Sequence, residues 1–205
     1  MKIVLYIYIY IIGVALGSFF TLAIHRIPRK QDITHTRSYC PNCNHRLNFL
    51  DLIPVLSYIF LGGKCRYCHE KIRPRYLIIE VLSGIAFLLF VISLKIDILN
   101  IEINKIALLV FGVLFISTIF MILGIFKEYK IIEKSILTFG VVSEIFYITY
   151  LYIFKEINIY RYIIYSVIFL TMLIINMKLN KEKVRRILFI IFLLIGAINI
   201  INILI

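Results

Sequence analysis

Four cysteines, Cys40, Cys43, Cys65 and Cys68, form two Cys-x-x-Cys pairs in the only sizeable polar stretch of the chain. A Cys-x-x-Cys turn presents two thiolates to one ion, and a second pair completes a tetrahedral set. Zinc prefers that arrangement, and a closed four-sulfur site is structural rather than catalytic. Four thiolates on one Zn2+ leave a net charge of about −2. Arg46, Lys64, Arg66 and Lys71 are placed to offset it and to favour the thiolate form. Asn44 falls within the first turn and Gly62-Gly63 precede the second pair, residue types that tight turns require. The competing readings are two disulfides or four reduced core thiols. Strict pairing argues against unrelated core residues, and disulfides need an oxidising compartment. His45 and His69 adjoin the pairs and are alternative ligands, whereas His25 and His35 read as interfacial or solvated.

The elements that position these cysteines are apolar helices. The 205 residues are 62% hydrophobic and only 17% charged, with a mean hydropathy of +0.98. A water-soluble domain of this size would not expose so much apolar surface, so the solvent is lipid. Six stretches have the length a bilayer needs: about 3–24, 77–94, 106–126, 135–154, 159–177 and 187–205. With the N-terminus outside, the loops at 25–76, 127–134 and 178–186 are cytoplasmic and hold 18 of the 23 basic residues. That distribution obeys the positive-inside rule, so the net charge of +12 reads as a topology signal, with no nucleic-acid partner implied. The run Lys178, Lys181, Lys183, Arg185 and Arg186 is read in the same way. Tyr6, Tyr8, Tyr10, Tyr147, Tyr150, Tyr152, Tyr160, Tyr162 and Tyr165 fall at or near the outer ends, as interfacial anchors do. The first stretch has the reverse of a signal peptide's charge order and reads as a retained anchor. The expected fold is an all-α polytopic membrane protein of about six transmembrane helices. Its zinc-binding cytoplasmic loop, kept reduced by that compartment, joins helices 1 and 2. Within the loop, the apolar run 50–61 is too short to span and is broken by Pro54, so it is expected at the membrane surface or dipping in shallowly.

The loop also carries a longer pattern: Gly17-Ser18-Phe19-Phe20, His25-Arg26-Ile27-Pro28-Arg29, Arg37-Ser38-Tyr39-Cys40-Pro41-x-Cys43 and Leu47. It continues through Asp51-x-Ile53-Pro54-Val55-Leu56-Ser57-Tyr58, Gly63-x-Cys65-Arg66-Tyr67-Cys68 and Ile72-x-x-Arg75-Tyr76-x-x-x-Glu80. Over about residues 13–90 this resembles the N-terminal region of the prepilin peptidases, the type IV leader peptidases of the bacterial inner membrane. Thr21 and His25 depart from the family's usual Asn and Tyr. The resemblance implies an N-terminal domain over 1–94, comprising helix 1, the zinc loop and helix 2, followed by a four-helix membrane region over 95–205. It implies type IV prepilin or pseudopilin leader peptides as partners beside the lipid bilayer. It also implies leader cleavage followed by N-methylation, with S-adenosylmethionine as methyl donor. Arg26, Asp51, Arg75 and Glu80 are the family-type functional residues, although Asp51 could instead order the segment linking the knuckles. Glu80 could equally form an interfacial ion pair with Arg73 or Arg75.

Cleavage in the family uses two aspartates, one as base on a water and the other as acid. The aspartates here are Asp32, Asp51 and Asp97, and none follows. The family's first motif, Asp-x-Glu/Asp-x-x-x-Ile-Pro, finds Phe126-Lys127-Glu128-Tyr129-Lys130-Ile131-Ile132-Glu133 as its nearest counterpart, with Glu128 keeping one acidic position. Its second motif, Gly-x-Gly-Asp, has no counterpart. Glu144, mid-helix in 135–154, is a functional candidate by position; its plainer reading is a glutamate hydrogen-bonded between helices. Glu128 and Glu133 lie sixteen and eleven residues from it, too far at 1.5 Å per residue for a direct dyad. Two functions are therefore carried forward. One is a prepilin-processing membrane protein without its protease aspartates. The other is a non-catalytic adaptor, or pseudoenzyme, for pilin or pseudopilin assembly.

Overall fold

The structure, a computed structural model, describes residues 2–95, 103–154, 158–179 and 181–204; Asp97 and Lys155 lie outside them. Its elements are α1 (Lys2–Arg26), a 3-10 turn (Ile27–Arg29), a second 3-10 turn (Phe49–Asp51), the short α2 (Leu56–Phe60), α3 (Arg75–Ser93), α4 (Ile103–Tyr129), α5 (Lys134–Phe154), α6 (Ile159–Lys178) and α7 (Glu182–Leu204). No strand occurs among the described residues, only two isolated β-bridges in the cysteine loop. All four prolines fall between α1 and α3. Elsewhere nothing interrupts the apolar runs, and they stay helical because hydrocarbon offers no other partner for backbone N–H and C=O groups. Pro28 sits in the turn that ends α1, and Pro74 stands directly before α3.

Among the described residues, five helices are long and apolar enough to cross a membrane: α1 with its 3-10 extension, α3, α4, α5 and α6. The sixth expected stretch is also helical, as α7, although its last side chains lie outside the described set. The chain divides into two compact units, Met1–Leu89 and Phe90–Ile205.

In the first unit, α1 and α3 touch through small residues. A Cβ placed on Gly17 would collide with Ser83 Oγ and stand 2.8 Å from Glu80 Cα, and one on Gly13 would stand 2.9 Å from Gly84 Cα. Ser83 Oγ donates to Gly13 O at 2.6 Å across this contact. Lipid supplies no hydrophobic force between helices, so close backbone approach and interhelical hydrogen bonds carry the association.

In the second unit, phenylalanine rings fill glycine gaps. Phe90 occupies the space over Gly112, Phe115 that over Gly196, and Thr118 and Phe192 crowd Gly140. Asn176 of α6 is buried and donates to Lys134 O and Thr138 Oγ1 of α5. Tyr147 corrects the sequence reading. It is only 2% exposed and packs with Phe90, Leu94, Leu108 and Leu151, so it belongs to the core and not to an interfacial belt. Tyr150 is tied at its hydroxyl, which donates to Asn104 Oδ1 at 2.8 Å.

The Gly17 contact yields a measurable expectation. Gly17→Ala forces its methyl against the Glu80 backbone, which cannot rotate away, and should cost about 1–3 kcal/mol. A lowered unfolding midpoint in detergent would show it, with lipid-facing Ile11→Ala as the control expected to change little.

Candidate metal centre

The two cysteine pairs fold as near copies of each other. Cys40 N–H donates to His45 O and Asn44 N–H to Cys40 O; at the second pair, Cys65 N–H donates to Glu70 O and His69 N–H to Cys65 O. Asn44 and His69 both take positive φ, 57° and 58°, at the equivalent place in each turn. Bridges Tyr39–Arg46 and Lys64–Lys71 close the two hairpins. The left-handed residue of the second knuckle is therefore His69, not a glycine. Gly62 and Gly63, with φ of 59° and 66°, instead end α2, where Gly63 N–H returns to Tyr58 O and the Tyr58 ring fills the space over Gly63.

All four Sγ atoms lie within 4.8 Å of one another, and Cys40 Sγ to Cys68 Sγ is 3.8 Å. A tetrahedron with metal–sulfur bonds of about 2.3 Å has edges of about 3.8 Å, so the donor set fits a single ion. Cys40 and Cys65 are buried and Cys43 is exposed. The Glu70 N–H and the Asn42 amide bring the Cys68 thiol down to about 7. At Cys43 the His45 N–H works in the same sense, but desolvation and the neighbouring thiols outweigh it and push the group up to about 11. An ion would replace that mutual destabilisation with attraction. His45 lies against the Tyr67 ring, centroids 3.6 Å apart, and among the described residues the cluster of possible metal-binding groups consists of the four cysteines alone.

The remaining loop residues hold the centre in place. Arg26 is buried at the end of α1, and its guanidinium donates to the carbonyls of Asp32 (2.9 Å), Thr36 (2.8 Å) and Arg37 (3.1 Å). Asp32 in turn accepts the N–H groups of Thr34, His35 and Thr36, which hold its carboxyl well below the usual range. Asp51 joins the linking segment to the second knuckle: it accepts Arg66 Nε at 2.6 Å and Asn48 N–H at 3.1 Å. Burial pushes the Asp51 carboxyl up, but these bonds outweigh it and leave the group below its ordinary value. What the pair adds to stability is thus complete above the unfolded carboxyl's range and lost as pH falls through the lowered folded value. Arg75 lies over the Tyr76 ring at 4.9 Å.

Glu80, only 8% exposed, accepts Val55 N–H at 2.8 Å and the Ser18 hydroxyl. Val55 has φ 62° and ψ −52°, with Leu56 N–H returned to Pro54 O at 2.6 Å. This is the strained γ-turn, here on a β-branched residue that rarely adopts positive φ. One carboxylate on α3 thus ties α1 to a strained turn of the loop. The sequence marked Glu80; Ser18 and Val55 stood in the same pattern with no role assigned to them.

The second unit places its acidic candidates apart. Glu128 is at the end of α4, while Glu144 lies ten residues into α5, about 15 Å along its axis. Glu144 Oε2 and the Asn199 Nδ2 of α7 are both buried without a hydrogen-bond partner among the described residues. Phe126, standing where the resemblance calls for aspartate, lies under Arg186 at 5.1 Å and Lys130 at 5.8 Å. Glu182 ties this end together, accepting Ile132 N–H and Arg185 Nη2, each at 2.8 Å.

Comparison with known proteins matches residues 11–94 to the Bacterial Peptidase A24 N-terminal domain. The chain is 43% identical over 79 residues to the prepilin leader peptidase/N-methyltransferase of Vibrio cholerae serotype O1, covering 35% of this chain and 31% of that protein. It is 38% identical over 81 residues to the protein of the same name from Myxococcus xanthus, covering 40% and 24%. For the Klebsiella pneumoniae protein of that name the figures are 35% over 88 residues, 40% and 39%. The matched segment therefore spans less than two fifths of each of these relatives. No solved structure matches the chain.

Two measurements follow from the geometry. Cys65→Ser should reduce bound metal in the purified protein from about one ion per chain to well below that, read by elemental analysis. Arg26→Lys keeps the charge but loses the three-carbonyl fork. Limited trypsin digestion at Lys30 and Arg37 should then quicken several-fold, with metal content unchanged.

Proposed function

We propose that this chain is a prepilin-recognising membrane protein of the leader peptidase/N-methyltransferase kind. It keeps the metal-stapled N-terminal domain over 1–94, and its own residues do not supply the aspartate chemistry of leader cleavage. The observation that carries this reading is the sulfur quartet, set by two matching knuckles inside the segment that resembles prepilin leader peptidase/N-methyltransferases. Zinc is the ion that four thiolates at this spacing favour, held by Cys40, Cys43, Cys65 and Cys68. It supplies a closed structural staple there and takes no part in a reaction. The loop faces the cytoplasm of a bacterial inner membrane, in keeping with its ten basic residues. The substrate class is type IV prepilin or pseudopilin leaders, and the methyl donor implied by the relatives' name is S-adenosylmethionine. Asp51 and Arg26 act as positioning residues through the hydrogen bonds described, while Arg75 opens α3 and Glu80 lies five residues inside it, on the loop side of that span.

A second reading, a non-catalytic adaptor for pilin assembly, has its own support. Phe126 carries two cations, Arg186 and Lys130, over its ring, and Glu144 stands about 15 Å from the helix end that would meet a leader. Neither arrangement provides adjacent carboxylates sharing a water.

Co-expression with a prepilin in cells lacking their own processing enzyme separates the readings, scoring leader removal and N-methylation independently by mass spectrometry. The expected result is no leader removal, with methylation of pilin that already lacks its leader. Leader removal dependent on this chain would overturn the proposal. Binding of prepilin without either reaction would establish the adaptor instead.

A further inference from the structure

The segment between the knuckles is built inside out. Its polar side chains turn inward: Asp51 to Arg66, and Tyr58 beneath Gly63 with its hydroxyl toward Ile72 O. Its large apolar side chains turn outward: Phe49 is 81% exposed, Leu50 63%, Leu56 49%, Ile59 60% and Phe60 82%. So much contiguous apolar surface on a segment of a dozen residues calls for a cover.

The Glu80–Val55 hydrogen bond says what the cover is, because it fixes a depth. α3 has 19 residues and rises about 28 Å, barely the roughly 30 Å of hydrocarbon it must cross, so the whole helix is needed for the span. Glu80 is five residues inside its first residue, about 7 Å below the boundary. Ser18, the other donor to Glu80, is eight residues inside the end of α1. The strained turn at Val55 is held at this level from both helices. The apolar side chains on either side of it therefore meet the same medium as the outward faces of α1 and α3, where Phe19, Ile78 and Leu82 are likewise exposed. The polar remainder of the loop carries ten basic residues against three acidic ones across 25–76, a charge suited to lipid headgroups.

We propose that residues 49–60 form a wedge embedded among the acyl chains of the leaflet beside the loop, so that the metal centre is held against the bilayer from below. Lipid is the occupant, and the Val55–Glu80 bond is the strut that sets how far the wedge enters.

The chain contains no tryptophan, so each introduced one is a unique reporter. Phe49→Trp and Phe60→Trp are both at exposed positions and are measured separately, in the full chain reconstituted into vesicles. Lipids brominated near the top of the acyl chain should quench each about twofold or more. His35→Trp, in the polar part of the loop, should lose little under the same conditions. Metal content and helicity confirm that each variant is folded. Emission from both wedge reporters that is blue-shifted yet unquenched would mean that protein covers this face, a second copy or another chain, and would overturn the proposal. Emission as red and as unquenched as that of His35→Trp would place the segment in water and overturn it equally.

Discussion

In hydrocarbon, a carboxylate or a backbone N–H has no water to turn to, and the polar contacts of this chain answer that constraint. Glu80 meets it by taking the Ser18 hydroxyl and the Val55 N–H, so a group that would be costly alone becomes the joint between two helices and a loop. Asn176 meets it by reaching two groups on α5, and Ser83 by reaching the backbone of α1. Arg26 does so at the end of its helix, dividing its guanidinium among three carbonyls that would otherwise lack donors. None of these residues has to be reactive to be indispensable.

The two units use different means to the same end. In the first, small residues let backbones meet and hydrogen bonds join segments distant in sequence. In the second, aromatic rings are set over glycines, and the polar contacts gather at the Glu182 end, where Ile132, Arg185, Arg186, Lys130 and Phe126 are drawn together.

The helices were legible because apolar runs without proline leave little choice in lipid, and the cysteine quartet because its spacing admits few geometries. What escaped the sequence was the work of neighbours. Residue type alone could not say that Tyr147 faces the core, since tyrosine suits an interface as well as a packed helix face. Gly62 and Gly63 looked like knuckle residues, yet Tyr58 claims them for the end of α2, while His69 takes the left-handed position under two local backbone hydrogen bonds. Gly13 and Gly17 gave no sign that Ser83 would answer them across the helix contact. Val55 was the least legible, because a β-branched residue at positive φ contradicts every local preference and persists only where Glu80 holds it.

An ion at the four sulfurs would turn the chain from Cys40 to Cys68 into a ring, and Val55 lies near its midpoint. Dividing such a ring in two changes its entropy little, since each doubling of loop length costs only about 0.6 kcal/mol. The tether is therefore a matter of kinematics. A ring fixed at one point can swing; fixed at opposite points, it keeps a single attitude, and a pull on either knuckle is passed to α3. The sulfur cluster defines the shape of the plate, the glutamate defines its bearing, and neither can substitute for the other.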